Sequence, residues 1–378
     1  LALLLPGFAL ARRAVRTELE GGLLPGIAVS WMCALGALAP FVALGYVVRM
    51  PLWALSAAIV AFVAWGAADL VRARAWRGAM GALLPALCVA GAVVAVDLVL
   101  SDRHGAILDN DSRVHIARIR YLYLHGLSNT DPFVRTPVEY AYPIYHTNIL
   151  HALCAAGSRL LGIDPVTMWF NTLAASKLMI ASGMAYLAWA VLGGAWAPWI
   201  AAAMVVVNRG PYTFSLYPNQ LAPWAFIPVA IGVLVRVLSA AWRDERIGAW
   251  RAALLVAAPS AVVGMTHPLY AGFLLVIAAP VAGSVALMRV VRRHEGRAPA
   301  LAATAGLVVV SAAFPLASAL MTARDTDRRV PRAQAQVDDG AERGADVRET
   351  TEEEEAAQLG KPREAAQRPR ASLVRPLD

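Results

Sequence analysis

The residues best suited to chemistry are concentrated in one polar stretch of an otherwise apolar chain. It reads Asp109-Asn110-Asp111-Ser112-Arg113-Val114-His115, then Arg118, Arg120, Asp131-Pro132, Glu139, Tyr140, Tyr142-Pro143 and His146. A carboxylate or an imidazole can take a proton from an attacking hydroxyl. Guanidiniums can hold a departing phosphate through charge-assisted bonds. An Asp-x-Asp pair can also hold a divalent cation through oxygen ligands. The set therefore suits transfer of a sugar from a lipid phosphate to an acceptor. It equally suits a polar loop whose acids cap a helix and pair with nearby arginines.

Spacing adds a geometric expectation. If Asp111 opens a helix as a first-turn acid, His115 and Arg118 follow at i+4 and i+7 on the same face. Arg113 and Arg120 fall on neighbouring faces. One short helix would then present a carboxylate, an imidazole and guanidiniums together.

What must position that helix is a membrane bundle. Hydrophobic residues make up 58% of the chain and charged residues 16%, and the mean hydropathy is +0.55. A soluble domain carries about 25% charged residues. Nearly uncharged runs recur at Leu23–Val48, Pro51–Val71, Gly78–Leu100, Val166–Gly193, Leu221–Leu238 and Leu301–Thr322. Each is near the roughly 20 residues that cross a hydrocarbon core. Backbone groups have no water to bond there, so the runs are expected to be helices. They lack the alternation of a membrane barrel strand. The expected fold is an all-α, polytopic transmembrane bundle of about 8–10 spans, with an outer loop carrying juxtamembrane helices.

Arginine clusters set the expected orientation, since basic residues beside helix ends stay cytoplasmic. Arg12, Arg13 and Arg16 follow the apolar Leu1–Leu10, which reads as the end of a helix. Arg72, Arg74 and Arg77, then Arg243, Arg246 and Arg251, then Arg289, Arg292, Arg293 and Arg297 mark further inner connections. Residues 101–145 are then outside, and so are Asn208–Gln220 and the Thr266-His267-Pro268 turn between two spans in Trp250–Leu287. Tyr145–Gly162 begins and ends on the outer side, as an interfacial or re-entrant helix would. These outer segments are expected to converge. Lys177 falls well inside Val166–Gly193, where an ionisable residue marks function or a structural ion pair. Asp97 lies just before the outer loop and could pair with an arginine or line the site.

The net charge of +8 reflects that topology rather than affinity for nucleic acid. The final 56 residues carry 11 basic and 13 acidic residues, so the excess lies entirely beside the helices. Two domains are expected: a membrane domain, 1–322, with its catalytic loop at about 101–165, and a disordered polar tail, 323–378, containing Glu352–Glu355. Cys33, Cys88 and Cys154 are expected to be small buried hydrophobes.

At this point the sequence resembles a family. Asp109-Asn110-Asp111, His115, Gly126, Asp131-Pro132-Phe133, Tyr142-Pro143, His146 and Leu161-Gly162-Ile163-Asp164-Pro165 look like the first outer loop of the C-type (GT-C) glycosyltransferases. That superfamily includes protein mannosyltransferases, oligosaccharyltransferases and cell-wall arabinosyltransferases. The resemblance implies a multi-pass protein of the plasma membrane with its catalytic loop on the extracytoplasmic side, and a polyprenyl-phosphate-linked sugar as donor. It implies Asp109 or Asp111 as catalytic base or metal ligand, with a divalent cation as the one cofactor in view. The catalytic set is then Asp109, Asp111 and His115. Arg113, Arg118, Arg120, Tyr142, His146 and His267 would bind substrate or phosphate. The other two function classes are a secondary transporter, which would use midplane charges such as Lys177 and broken helices, and a non-catalytic membrane assembly protein.

Overall fold

The computed structural model describes residues 2–14, 22–100, 110–127, 147–207, 217–243, 245, 247–292, 296–317 and 319–320. Side chains at several positions between 82 and 111, those of Asp97 and Asp111 among them, are not described. The tail 323–378 also lies outside the described residues. Every regular element among those described is helical.

Seven helices are long and apolar enough to cross a bilayer: Leu23–Val48, Leu52–Arg72, Pro165–Leu192, Pro218–Trp242, Ala249–Thr266, Pro268–Val291 and Arg297–Ala317. Here they are α2, α3, α7–α8, α10, α11, α12 and α13, with α1 at Leu4–Ala14. The 25-residue helix α4, Trp76–Leu100, matches them in length. Between them lie α5 (Asn110–His125), α6 (Ile149–Leu161) and α9 (Ala197–Val207).

Burial separates the helices into a centre and a periphery. In α2 and α10, 67% of the most apolar window is buried; in α3 and α12 the share is 28% and in α13 22%. The centre is held by close approach, as expected where lipid gives helices little hydrophobic reason to associate. A Cβ on Gly183 of α8 would overlap the Ala225 carbonyl of α10, and one on Gly7 of α1 would overlap the Ser30 carbonyl of α2. Trp31 of α2 packs on Phe226 at 5.3 Å and donates to Ser182 Oγ at 2.9 Å.

Contacts at the helix ends sort the bundle into two poles. At one pole Arg12 and Arg13 pair with the buried Asp69 of α3, and Arg251 of α11 donates to the Ala14 carbonyl. Gly296, before α13, lies against the Ala241 carbonyl of α10. At the other pole Leu127, just past α5, donates to the Met50 carbonyl, just past α2, at 2.8 Å. Tyr46 near the end of α2 meets the start of α6, and α6 meets the end of α11. A 26-residue helix such as α2 is about 39 Å long, more than the roughly 30 Å of hydrocarbon. The helix ends carrying Arg12, Arg13, Arg251 and Arg289 thus gather at one pole, a membrane's width from the α5–α6 pole.

Three sequence expectations are corrected in detail. The run Val166–Gly193 is broken: α7 (Pro165–Asn171) is capped by Asp164, and α8 (Leu173–Leu192) begins after Thr172. The Thr172 hydroxyl bonds the Trp169 carbonyl at 2.7 Å, competing with the continuous helix. Helix α10 starts three residues early and contains a π-turn, Ala222–Phe226, with Pro223 and Pro228 in and after it. Cys154 is buried, but Cys33 is half-buried and Cys88 is exposed on α4. The polytopic helical bundle expected is observed, with seven helices meeting length and apolarity among the described residues and α4 matching them in length.

Candidate functional site

Helix α5 carries the site because its polar residues fall at helical spacing. Ser112, His115 and Arg118 lie on one face and are buried, at 1%, 0% and 3% exposure. Arg113 and Arg120 are exposed on other faces. Gly126 ends the helix with φ 79°, a left-handed conformation that favours glycine. A Cβ there would come 2.8 Å from the Met50 carbonyl, so the same glycine lets the end of α5 dock on the α2–α3 turn.

The second wall is α6. Thirteen residues make about 20 Å, too short to span, in keeping with a helix that stays at one pole. Asn148 builds its start. The Asn148 side chain caps the Leu150 and His151 amides at 2.9 and 3.0 Å and donates to the Thr266 carbonyl at 2.6 Å. Its own carbonyl accepts from Tyr46 at 2.9 Å. One buried asparagine therefore ties α6 to α2 and to the α11–α12 junction. His267, at that junction, is 5% exposed and sits edge-on to Tyr270 at 4.8 Å.

Between these walls His115 Nδ1 and His151 Nε2 lie 3.0 Å apart, both residues fully buried. Trp169 of α7 stacks on His115 at 5.3 Å and 23°. Tyr217, which precedes α10, lies 5.6 Å from the His115 ring, and its hydroxyl is 2.7 Å from Ser112 Oγ. Arg118 sits over the Tyr121 ring. The His151 imidazole is pushed well below the ordinary histidine range, first by desolvation and then by the charges of His115 and Arg118. Burial likewise pushes the Cys154 thiol up to about 12, so at neutral pH it is an uncharged packing residue.

Two of the three polar segments expected to converge meet, since Ser112 of the first touches Tyr217 of the second, and the His267 turn is met by Asn148 at the start of α6. Of the individual residues, His115 and Arg118 face inward together. Arg120 is exposed and 4.0 Å from Asp164. Arg113 is exposed. The backbone of Asp111 lies in the first turn of α5, while Asp109, Tyr142 and His146 lie outside the described residues. Lys177 is the fifth residue of α8, 1% exposed. No three of His, Cys, Asp and Glu among the described residues are grouped to hold a metal. Sequence reasoning missed His151, Asn148 and Trp169. His151 is a single polar residue in an apolar run, and the faint signal was Asn148 as a cap three residues before it.

Helices of membrane length around a polar cluster at one pole define a multi-pass, all-α membrane protein. The chain belongs to DUF6541, a family of unknown function, which matches residues 1–339. Neither the curated proteins nor the solved structures include a match to it.

Proposed function

We propose that this protein is a membrane glycosyltransferase that moves a sugar from a polyprenyl-phosphate donor to an acceptor on the outer face of the membrane. The observation that carries the reading is the α5–α6 pole. Its imidazoles, guanidinium and aromatic rings gather a helix length away from the arginine-bearing ends. With those ends cytoplasmic, the cluster sits at the outer surface, at the level of a prenyl phosphate headgroup.

In this reading Asp109 or Asp111 takes the proton from the acceptor hydroxyl, with His115 alongside as a second acid–base group. Arg118 offers its guanidinium to the departing phosphate, with Arg113 and Arg120 nearer the solvent. Tyr142, His146 and His267 line the donor. The carboxylate oxygens of Asp109 and Asp111 are ligands of the kind a divalent cation takes.

The test is protein reconstituted in liposomes with labelled polyprenyl-phosphate sugars. Wild type transfers label, and Asp109→Asn or Asp111→Asn loses about 100-fold or more, the order for removing an acid–base group. Equal rates in all three proteins would take the carboxylates out of the mechanism. A second reading, a secondary transporter, draws on the buried Lys177 and the interruptions at Thr172 and the α10 π-turn. Uptake of a labelled solute abolished by Lys177→Met, without transfer, would favour it.

A further inference from the structure

The contact between His115 and His151 joins two helices, and neither histidine has its environment without the other. A 3.0 Å separation between ring nitrogens is hydrogen-bond distance. A hydrogen bond between them holds a single proton, so one ring donates and the other accepts. When His115 Nδ1 donates, its Nε2 is a bare acceptor. When His151 Nε2 donates, His115 Nε2 carries the proton instead. The partner ring thus decides whether the far side of His115 is a base or an acid.

We propose that His115 and His151 work as one unit, in which His151 is a positioning residue that sets which ring nitrogen of His115 carries the proton. The surroundings hold this arrangement in place. His151 is the third residue of α6, and its own amide is capped by Asn148, so its position is fixed from the backbone. Trp169 stacks against His115, and Tyr217 closes another side. Both imidazoles are fully buried, which disfavours a charged ring on either.

Other titratable groups around the pair are consistent with this. Arg118 lies one turn further along α5. Tyr217 lies beside the His115 ring, Tyr46 of α2 bonds the Asn148 carbonyl before α6, His267 follows the Thr266 carbonyl that Asn148 bonds, and Cys154 lies on α6. Helix α7 brings no titratable side chain, and Asp69 and Arg72 of α3 lie at the opposite pole. Arg118 opposes a charged His151 ring. A metal bridge between the rings finds no third His, Cys, Asp or Glu beside them among the described residues.

The experiment is solid-state NMR of the full chain in bilayers with ¹⁵N-labelled histidine, from about pH 5 to pH 8, the range in which an ordinary histidine titrates. His115→Gln and His151→Phe supply the assignments. The expected result is a ¹⁵N–¹⁵N coupling across the bond and no imidazolium signal from His151. In His151→Phe, His115 should change its tautomer ratio. If that variant does not fold, the wild-type coupling alone decides. Absence of the coupling, an unchanged His115 in His151→Phe, or one zinc ion bound through both rings would each overturn the proposal. A kinetic arm rests on the transferase reading: His151→Phe should lower the rate about 10- to 100-fold, as losing an outer-shell partner that orients a metal-bound histidine does. The spectroscopic arm does not depend on transfer, so the two ideas can fail separately.

Discussion

At the residue scale, the energetics of the site turn on a histidine kept out of water. The folded-state pKa of His151 is depressed below the ordinary value of 6.5, first by desolvation and then by His115 and Arg118. As pH falls, the unfolded chain therefore binds this proton before the folded one does. The contribution to stability is intact above about pH 6.5 and is lost below it at roughly 1.4 kcal/mol per pH unit, until the folded ring also protonates. Thermal unfolding in detergent across that range should show the slope, and His151→Phe should flatten it. A wild-type melting temperature unchanged on acidification would mean that water reaches the ring. The sequence supplied His115 here, because its polar neighbours share its helical face. It did not supply His151, which stands by itself on an apolar helix and acquires meaning only from the residue opposite.

Among the elements, α6 depends most on a single side chain. Asn148 is 1% exposed and makes two capping bonds and one bond to the α11–α12 junction. Asn148→Ala removes all three and leaves the Thr266 carbonyl short of a donor, a loss of about 2–3 kcal/mol. Asn148→Ser keeps a capping oxygen and should recover about 1 kcal/mol of it. Titration with a denaturing detergent, read by helix content, compares the three. Equal midpoints would mean that α6 is held by its apolar face alone. The arginine topology marked Tyr145–Gly162 as beginning and ending on the outer side, and α6 lies within it. The break between α7 and α8 was not legible, since Asp164-Pro165 signals a helix start but Thr172 is an ordinary residue until its hydroxyl bonds back to Trp169.

For the whole molecule, the arrangement of poles is the testable claim. In a background without native cysteines, His125→Cys, exposed near the end of α5, should react with an impermeant thiol reagent added to intact cells. Arg74→Cys, beside the opposite pole, should react only after the cells are opened. The reverse pattern would invert the bundle and remove the proposed donor surface. The two poles follow from how the chain alternates: α3, α10 and α12 run toward the arginine-bearing end, and α2 and α11 run away from it.

The sequence by itself determined that this is an all-helical membrane protein, roughly where its helices lie, and which loop holds its polar residues. Those properties follow from local composition: an apolar run of membrane length must satisfy its own backbone, and an arginine cluster interrupts it. Tertiary structure alone decided that His115 faces His151, that Asn148 joins three helices, and that Trp169 and Tyr217 enclose the pair. Such contacts depend on how helices distant in the chain cross and rotate. That is set by close approaches such as Gly183 on Ala225 and Gly126 on Met50, which no local pattern of residues records.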